Sequence, residues 1–210
     1  MKRVFFTICF SLLTLGVLAQ DMEKIFKSMP DQFIPQLESA WRKDLVDLYK
    51  NGKDAKLKNT MNGFSELKQL TNDYLLLQAT ERSTIEMKLL PLLNNTHVIC
   101  MVTTLYGPVP DSRIDFFTTD WHLLDASELF TPISTDWFIK KEVDLNSPAV
   151  IEAFSRLDMN LQKYSLHPEL LILTIEFTTP QCLSKEDQRL VFPYLKQKNK
   201  VLTWEKHCFK

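Results

Sequence analysis

Apolar residues recur along this chain with changing period, and each change marks an element. Met22, Ile25, Phe26 and Met29 follow helical spacing until Pro30 stops the turn. A longer helical stripe follows in Leu37, Trp41, Leu45, Leu48 and Tyr49, with Pro35 suited to its first turn and Asn51-Gly52 as its stop. The segment Leu57 to Leu70 reads both ways: Leu57, Met61 and Phe64 suit a helix, whereas Asn62-Gly63 suggests a break before a strand.

Beyond it the period becomes two. Tyr74 to Gln78 is short and apolar. Ile85, Met87 and Leu89 alternate with Thr84, Glu86 and Lys88, which predicts one buried and one wet face. His97 to Leu105 is apolar on both faces, as in a central strand, and Ile114 and Phe116 alternate with Arg113 and Asp115. Turn-forming residues separate these runs at Thr71-Asn72-Asp73, Glu81-Arg82-Ser83, Asn94-Asn95 and Gly107 to Asp111. Connections this short exclude helical crossovers and predict an antiparallel meander.

The second half mixes elements. Asp125 with Glu128 predicts a capped helical turn ending near Phe130, and Ser147-Pro148 begins a helix carrying Val150, Ile151, Phe154 and Leu157. Leu171, Leu173, Ile175 and Phe177 define a strand. Ser184 to Asp187 has capping-box spacing, Pro193 limits the helix it starts, and Val201 to His207 reads as a strand. The expected fold is α+β: a curved antiparallel β-sheet packed with N-terminal and mid-chain helices. Residues 20–210 are read as one domain. Thr119-Asp120-Trp121 echoes Thr135-Asp136-Trp137, which allows a degenerate duplication with its break near residues 125–147.

The first nineteen residues stand apart from this pattern. Lys2 and Arg3 precede an apolar run from Val4 to Leu18, interrupted by Thr7, Ser11 and Thr14, and Val17-Leu18-Ala19 presents a cleavage motif before Gln20. This is the layout of a secretory signal peptide over residues 1–19. The run is about 15 residues, against the roughly 20 a membrane-spanning helix needs. Cys9 lies inside the apolar run, which argues against a lipid anchor there. The chain is therefore expected to be exported, periplasmic or extracellular after cleavage at Ala19/Gln20, with no transmembrane segment in the mature part.

Composition narrows the chemistry. The hydrophobic content of 45% supports a packed core. Losing Lys2 and Arg3 with the leader takes 25 basic residues to 23 against 26 acidic, a net charge of −3, which argues against a nucleic-acid partner. Lys53, Lys56 and Lys58 form one basic cluster and Lys196, Lys198 and Lys200 another. Neither has an aromatic platform interleaved in sequence, so both read as solvated faces. Beyond the leader Cys100, Cys182 and Cys208 remain, an odd number. Cys182 and Cys208 form the candidate disulfide, and Cys100 reads as a small buried hydrophobe.

Catalytic patterns are missing from the sequence. Gly52, Gly63 and Gly107 are the only glycines past the leader, too few for a dinucleotide fingerprint or a Walker loop. His97, His122, His167 and His207 are scattered, with no metal-ligand spacing, so no metal and no cofactor is expected. His97 and Cys100 are three apart on a strand, which sends them to opposite faces. The stretch with surplus character is Trp121 to Phe138, rich in aromatic and aliphatic residues among turn formers. Trp121, Trp137 and Phe138 are its candidate partner-contact residues, because tryptophan is enriched at recognition hot spots.

In order and spacing, several stretches resemble a family of secreted, uncharacterised proteins of Bacteroidales bacteria catalogued as a domain of unknown function. They are Phe26-Lys27-Ser28-Met29-Pro30-Asp31, Asp44-Leu45-Val46-Asp47-Leu48-Tyr49, the run Leu67 to Leu92, Val98-Ile99-Cys100 and Thr118-Thr119-Asp120-Trp121. The resemblance covers nearly the whole mature chain and includes the glutamine that follows the cleavage site. It implies export and a lineage, and no substrate, cofactor or catalytic residue. Together these readings predict a non-enzymatic binding or accessory protein of the cell envelope, whose partner is an envelope protein or a small ligand. The rival readings are an exported hydrolase whose site assembles only in three dimensions, and a carrier of a small apolar ligand inside the curved sheet.

Overall fold

In the computed structural model, residues 21–210 are described, so the leader and the Ala19/Gln20 junction lie outside the described residues. Helix α1 spans Met22–Ser28. Asp21 caps it by accepting the Glu23 amide at 3.0 Å, and Met22, Ile25 and Phe26 form its buried side. Helix α2 spans Ser39–Lys50, so Pro35 is not in its first turn as expected. Glu38 is extended and Pro35 falls in a separate turn, closed by the Leu37 amide on the Ile34 carbonyl at 3.0 Å. Gly52, with φ +65°, ends α2: its amide bonds to the Tyr49 carbonyl and that of Lys53 to the Leu48 carbonyl.

Arg42, fully buried on α2, joins the two helices. Its guanidinium donates to the carbonyls of Phe26, Leu37 and Met29 and to Asp31 Oδ1 at 2.8 Å. The Phe26 carbonyl, which also accepts the Met29 amide, and the carbonyl of the cap residue Met29 thus find a donor inside the core at the C-terminus of α1.

Six strands follow as the predicted meander: β1 (Lys56–Lys58), β2 (Phe64–Leu70), β3 (Tyr74–Thr80), β4 (Ser83–Pro91), β5 (His97–Tyr106) and β6 (Pro110–Thr118), each antiparallel to the next. The ambiguous segment around Leu57 is therefore strand, turn, strand. Asn59 shapes the turn by accepting from the amides of Met61 and Gly63. Register shifts between Leu67 and Gln69, and between Gln78 and Thr80, bend the sheet. A second antiparallel sheet has the order β10-β9-β8-β7, from β7 (Gln162–Leu166), β8 (Ile172–Phe177), β9 (Lys200–Glu205) and β10 (Cys208–Phe209). Strand β7 has no counterpart in the sequence reading.

Each face of the first sheet has its own cover. Leu75, Leu77, Ile85, Met87, Ile99, Met101 and Phe117 pack against α1 and α2. The opposite face packs against the second sheet, where Val98, Cys100, Val102 and Phe116 meet Leu173, Ile175, Leu202, Trp204 and Phe209. Glu86 and Lys88 are consequently buried, 8% and 1% exposed, and the wet face expected on β4 is not there. The mid-chain helices α3 (Pro148–Phe154) and α4 (Lys185–Val191) sit apart from the first sheet. They pack on one another around Ala153, Val191 and Leu195. Ser184 caps α4 as predicted, its hydroxyl accepting the Asp187 amide at 3.1 Å. No helix among the described residues is long and apolar enough to cross a membrane.

Candidate functional site

The segment from Thr119 to Leu161 crosses from the helical side of the first sheet to the second sheet, and it carries the predicted aromatic residues into different environments. Trp121 lies in the core, 7% exposed, against Phe33 and Phe117 at ring separations of 5.7 and 5.4 Å. Its Nε1 donates to the Ile25 carbonyl at 3.2 Å, so both its apolar face and its polar tip are occupied. Phe138 is 2% exposed and stacks on Phe177 of β8 at 5.2 Å. Neither side chain offers surface to a partner, so the expectation of contact through Trp121 and Phe138 is corrected by their burial. Trp137 alone of the three is half-buried.

The setting of Trp137 is built from two distant segments. It occupies the 3-10 turn Thr135–Phe138, which Ser134 caps by accepting the Asp136 amide at 3.3 Å. The next residue outward, Ile139, forms an antiparallel bridge with Leu195. On either side of that bridge the Lys140 amide donates to the Tyr194 carbonyl and the Lys196 amide to the Phe138 carbonyl. The bridge brings Lys196 Nζ to 4.6 Å from the indole centroid and onto the Trp137 carbonyl, while Lys200 Nζ sits 5.1 Å from the same ring. Such ammonium–indole contacts contribute about 0.5–1 kcal/mol each at exposed sites. Lys140 Nζ is held at 2.6 Å on the Pro193 carbonyl.

An open hollow of about 460 Å³ lies between Lys140, Lys141 and Glu142 on one side and Lys196, Gln197 and Lys198 on the other. A second hollow of about 250 Å³ adjoins it, floored by Phe138, Phe177 and Pro180 and edged by Phe192 and Glu176. The basic cluster Lys196, Lys198, Lys200 thus does have an aromatic partner, contrary to the sequence reading. That partner lies some sixty positions earlier in the chain, where no local pattern announces it.

The remaining polar groups have structural settings. Glu86 accepts the Leu166 amide at 2.8 Å and the Tyr74 hydroxyl at 3.3 Å, and burial raises its pKa above the ordinary carboxylate value. Burial, together with the charge of Glu86, pushes the Tyr74 phenol up as well. The Cys100 thiol is fully buried and its pKa is raised, first by desolvation and then by Glu86 and Asp115, which makes it a poor nucleophile. His167 accepts the amides of Glu169 and Leu170 in a turn, and His122 lies beside the Thr118 hydroxyl at 3.4 Å. Among the described residues no group of three or more His, Cys, Asp or Glu side chains is placed to hold a metal ion. Cys182 and Cys208 are unbonded thiols, so the candidate disulfide is not formed: one ends the turn Thr179–Cys182, the other begins β10. The space an apolar ligand would need inside the first sheet is filled by Phe116, Trp204 and Phe209, whose rings lie 5.1 to 6.5 Å apart.

These features define an α+β protein in which a six-stranded antiparallel meander is sandwiched between two helices and a four-stranded sheet, with a lysine-flanked tryptophan on the second sheet's side. The chain belongs to the family described as Protein of unknown function (DUF3256), which matches residues 14–209. It is similar to a solved structure, a domain of an uncharacterized protein from Porphyromonas gingivalis W83, with 27% sequence identity and a TM-score of 0.82. That match covers 90% of this chain and 98% of the other. No curated protein matches the chain.

Proposed function

We propose that this protein is an exported, non-enzymatic binding or accessory component of the bacterial cell envelope, and that the face around Trp137 is its contact surface. The observation that carries the reading is the half-buried indole of Trp137, flanked by the ammonium groups of Lys196 and Lys200, the first of which also lines an open hollow. Tryptophan is enriched at recognition hot spots, and the lysines beside it give this face a positive charge. The signal-like layout of residues 1–19 supports export.

The test is a pull-down from native envelope with the wild-type chain and with Trp137→Ala, followed by mass spectrometry of the bait and its partners. The bait should begin at Gln20, and the variant should lose partners that the wild type retains while staying folded, its melting temperature lowered by only a few degrees. Retention of the full leader in a cytosolic pool, or partners that ignore the substitution, refutes the reading.

A further inference from the structure

Two lysine-bearing segments, Lys140-Lys141 and Lys196 to Lys200, are zipped together by the Ile139–Leu195 bridge. Four ammonium groups line one hollow, with Glu142 as its sole acid, and Lys200 adds a fifth at the Trp137 ring. This concentration occurs in a chain whose formal net charge is −1. Like charges held so close repel one another, and an anionic partner removes that cost. Phe192, 39% exposed, edges the adjoining hollow beside Lys196 and Lys198. A soluble polyanion would answer the lysines alone. An anionic lipid surface answers both kinds of group, because lysines reach its phosphates while aromatic rings settle at headgroup depth.

We propose that the face formed by Trp137, Phe192 and the surrounding lysines docks on an anionic lipid surface. The proposal rests on the reading of this face as the contact surface, and names what it contacts. Lys141 and Lys198 are its informative positions. Both are exposed, and neither supports the backbone as Lys140 and Lys196 do.

The experiment is co-sedimentation of the purified protein with phosphatidylcholine vesicles, with and without phosphatidylglycerol. Binding is expected only to the anionic vesicles and should weaken as salt is added. Lys141→Gln with Lys198→Gln should lower partitioning by about fivefold per lysine, about 25-fold for the pair, at unchanged thermal stability. The pair Lys43→Gln with Lys53→Gln, on the opposite helical side, should leave it unchanged. Equal binding to neutral vesicles, no binding at low salt, or an indifferent Lys141/Lys198 variant overturns the proposal, and so does retention on polyglutamate with vesicles ignored. Should Trp137→Ala still lose an envelope protein while vesicles are ignored, the lipid docking fails and the contact surface stands.

Discussion

The Glu86 carboxylate on β4 accepts the backbone amide of Leu166 on β7 at 2.8 Å, across 80 residues of sequence. It is one of three such contacts. Gln162 and Tyr164, on the same side of β7, donate their amides to Asp111 Oδ1 and the Ser112 hydroxyl of β6. Strand β7 is therefore an edge strand whose outward amides are taken by side chains of the other sheet instead of by another strand. This satisfies the edge and sets how the two sheets meet.

Glu86 gives that junction a pH dependence. Burial raises its native pKa above the ordinary value of 4.5, while the unfolded chain keeps the ordinary one. Between the two values the folded protein holds a proton that the unfolded chain has released, so stability falls as pH rises through the window. Glu86→Gln keeps an acceptor for the Leu166 amide and abolishes the titration. Urea denaturation from pH 4.5 upward should show the variant gaining on the wild type as pH increases. Parallel curves would mean that the native carboxyl titrates normally. Glu86→Ala, which orphans a buried amide, should cost about 1–3 kcal/mol at every pH.

Arg42 closes the α1 turn with a guanidinium that meets three carbonyls and one carboxylate from a fully buried position. Arg42→Ala should cost about 3–5 kcal/mol in urea denaturation, since the Met29 and Leu37 carbonyls lose their side-chain donor, the Phe26 carbonyl keeps only the Met29 amide, and a cavity opens in the core. Arg42→Lys should recover only part of this, because a single ammonium cannot span the same fork. Full recovery by lysine would show that charge, not geometry, is what the site needs.

Much of this architecture was legible in the sequence because it rests on local chemistry. The helix stop at Gly52, the cap at Ser184, the two-faced apolar run of β5 and the alternation of β6 each depend on residues a few positions apart. The wet face assigned to β4 failed for a reason that no local pattern contains: a second sheet covers Glu86 and Lys88. Strand β7 escaped notice because one of its inward positions holds a polar residue, Gln162, which is buried through bonds to the Ile133 carbonyl and Asn160. The Trp137 surface was half visible. Its aromatic residues stood out, but which of them reach the surface, and which lysines join them, depends on a bridge between segments 56 positions apart in sequence numbering, Ile139 and Leu195.

Lys88 offers a sharper test of buried charge. Its ammonium, 1% exposed, is held at 2.8 Å by Asp73 Oδ2 and at 2.7 Å by the Pro168 carbonyl, 5.9 Å from the Tyr74 ring. Removing the anion strands a desolvated cation, whereas replacing the cation by an apolar side chain of similar length removes the need for a partner. Asp73→Ala should therefore destabilise more than Lys88→Met, measured by denaturant midpoint. The half-exposed Asp73 carboxylate moderates the difference. The reverse order would mean that the Pro168 carbonyl, left without its donor, governs the site.

The two tryptophans of the connecting segment should behave oppositely. Trp121 fills core space between Phe33 and Phe117 and spends its N–H on Ile25, so Trp121→Ala should cost about 3–5 kcal/mol and lower the melting temperature markedly. Trp137 is half-buried, edge-to-face on Phe138 at 5.0 Å and flanked by two lysines, so Trp137→Ala should cost about 1–2 kcal/mol, less than Trp121→Ala. Partner or vesicle binding should follow the other order, falling for Trp137→Ala and persisting for whatever fraction of Trp121→Ala remains folded. Melting curves paired with binding measurements separate the cases. A large stability loss at Trp137 would place its ring in the core, and the lysines around it would then be packing against the fold instead of presenting a surface.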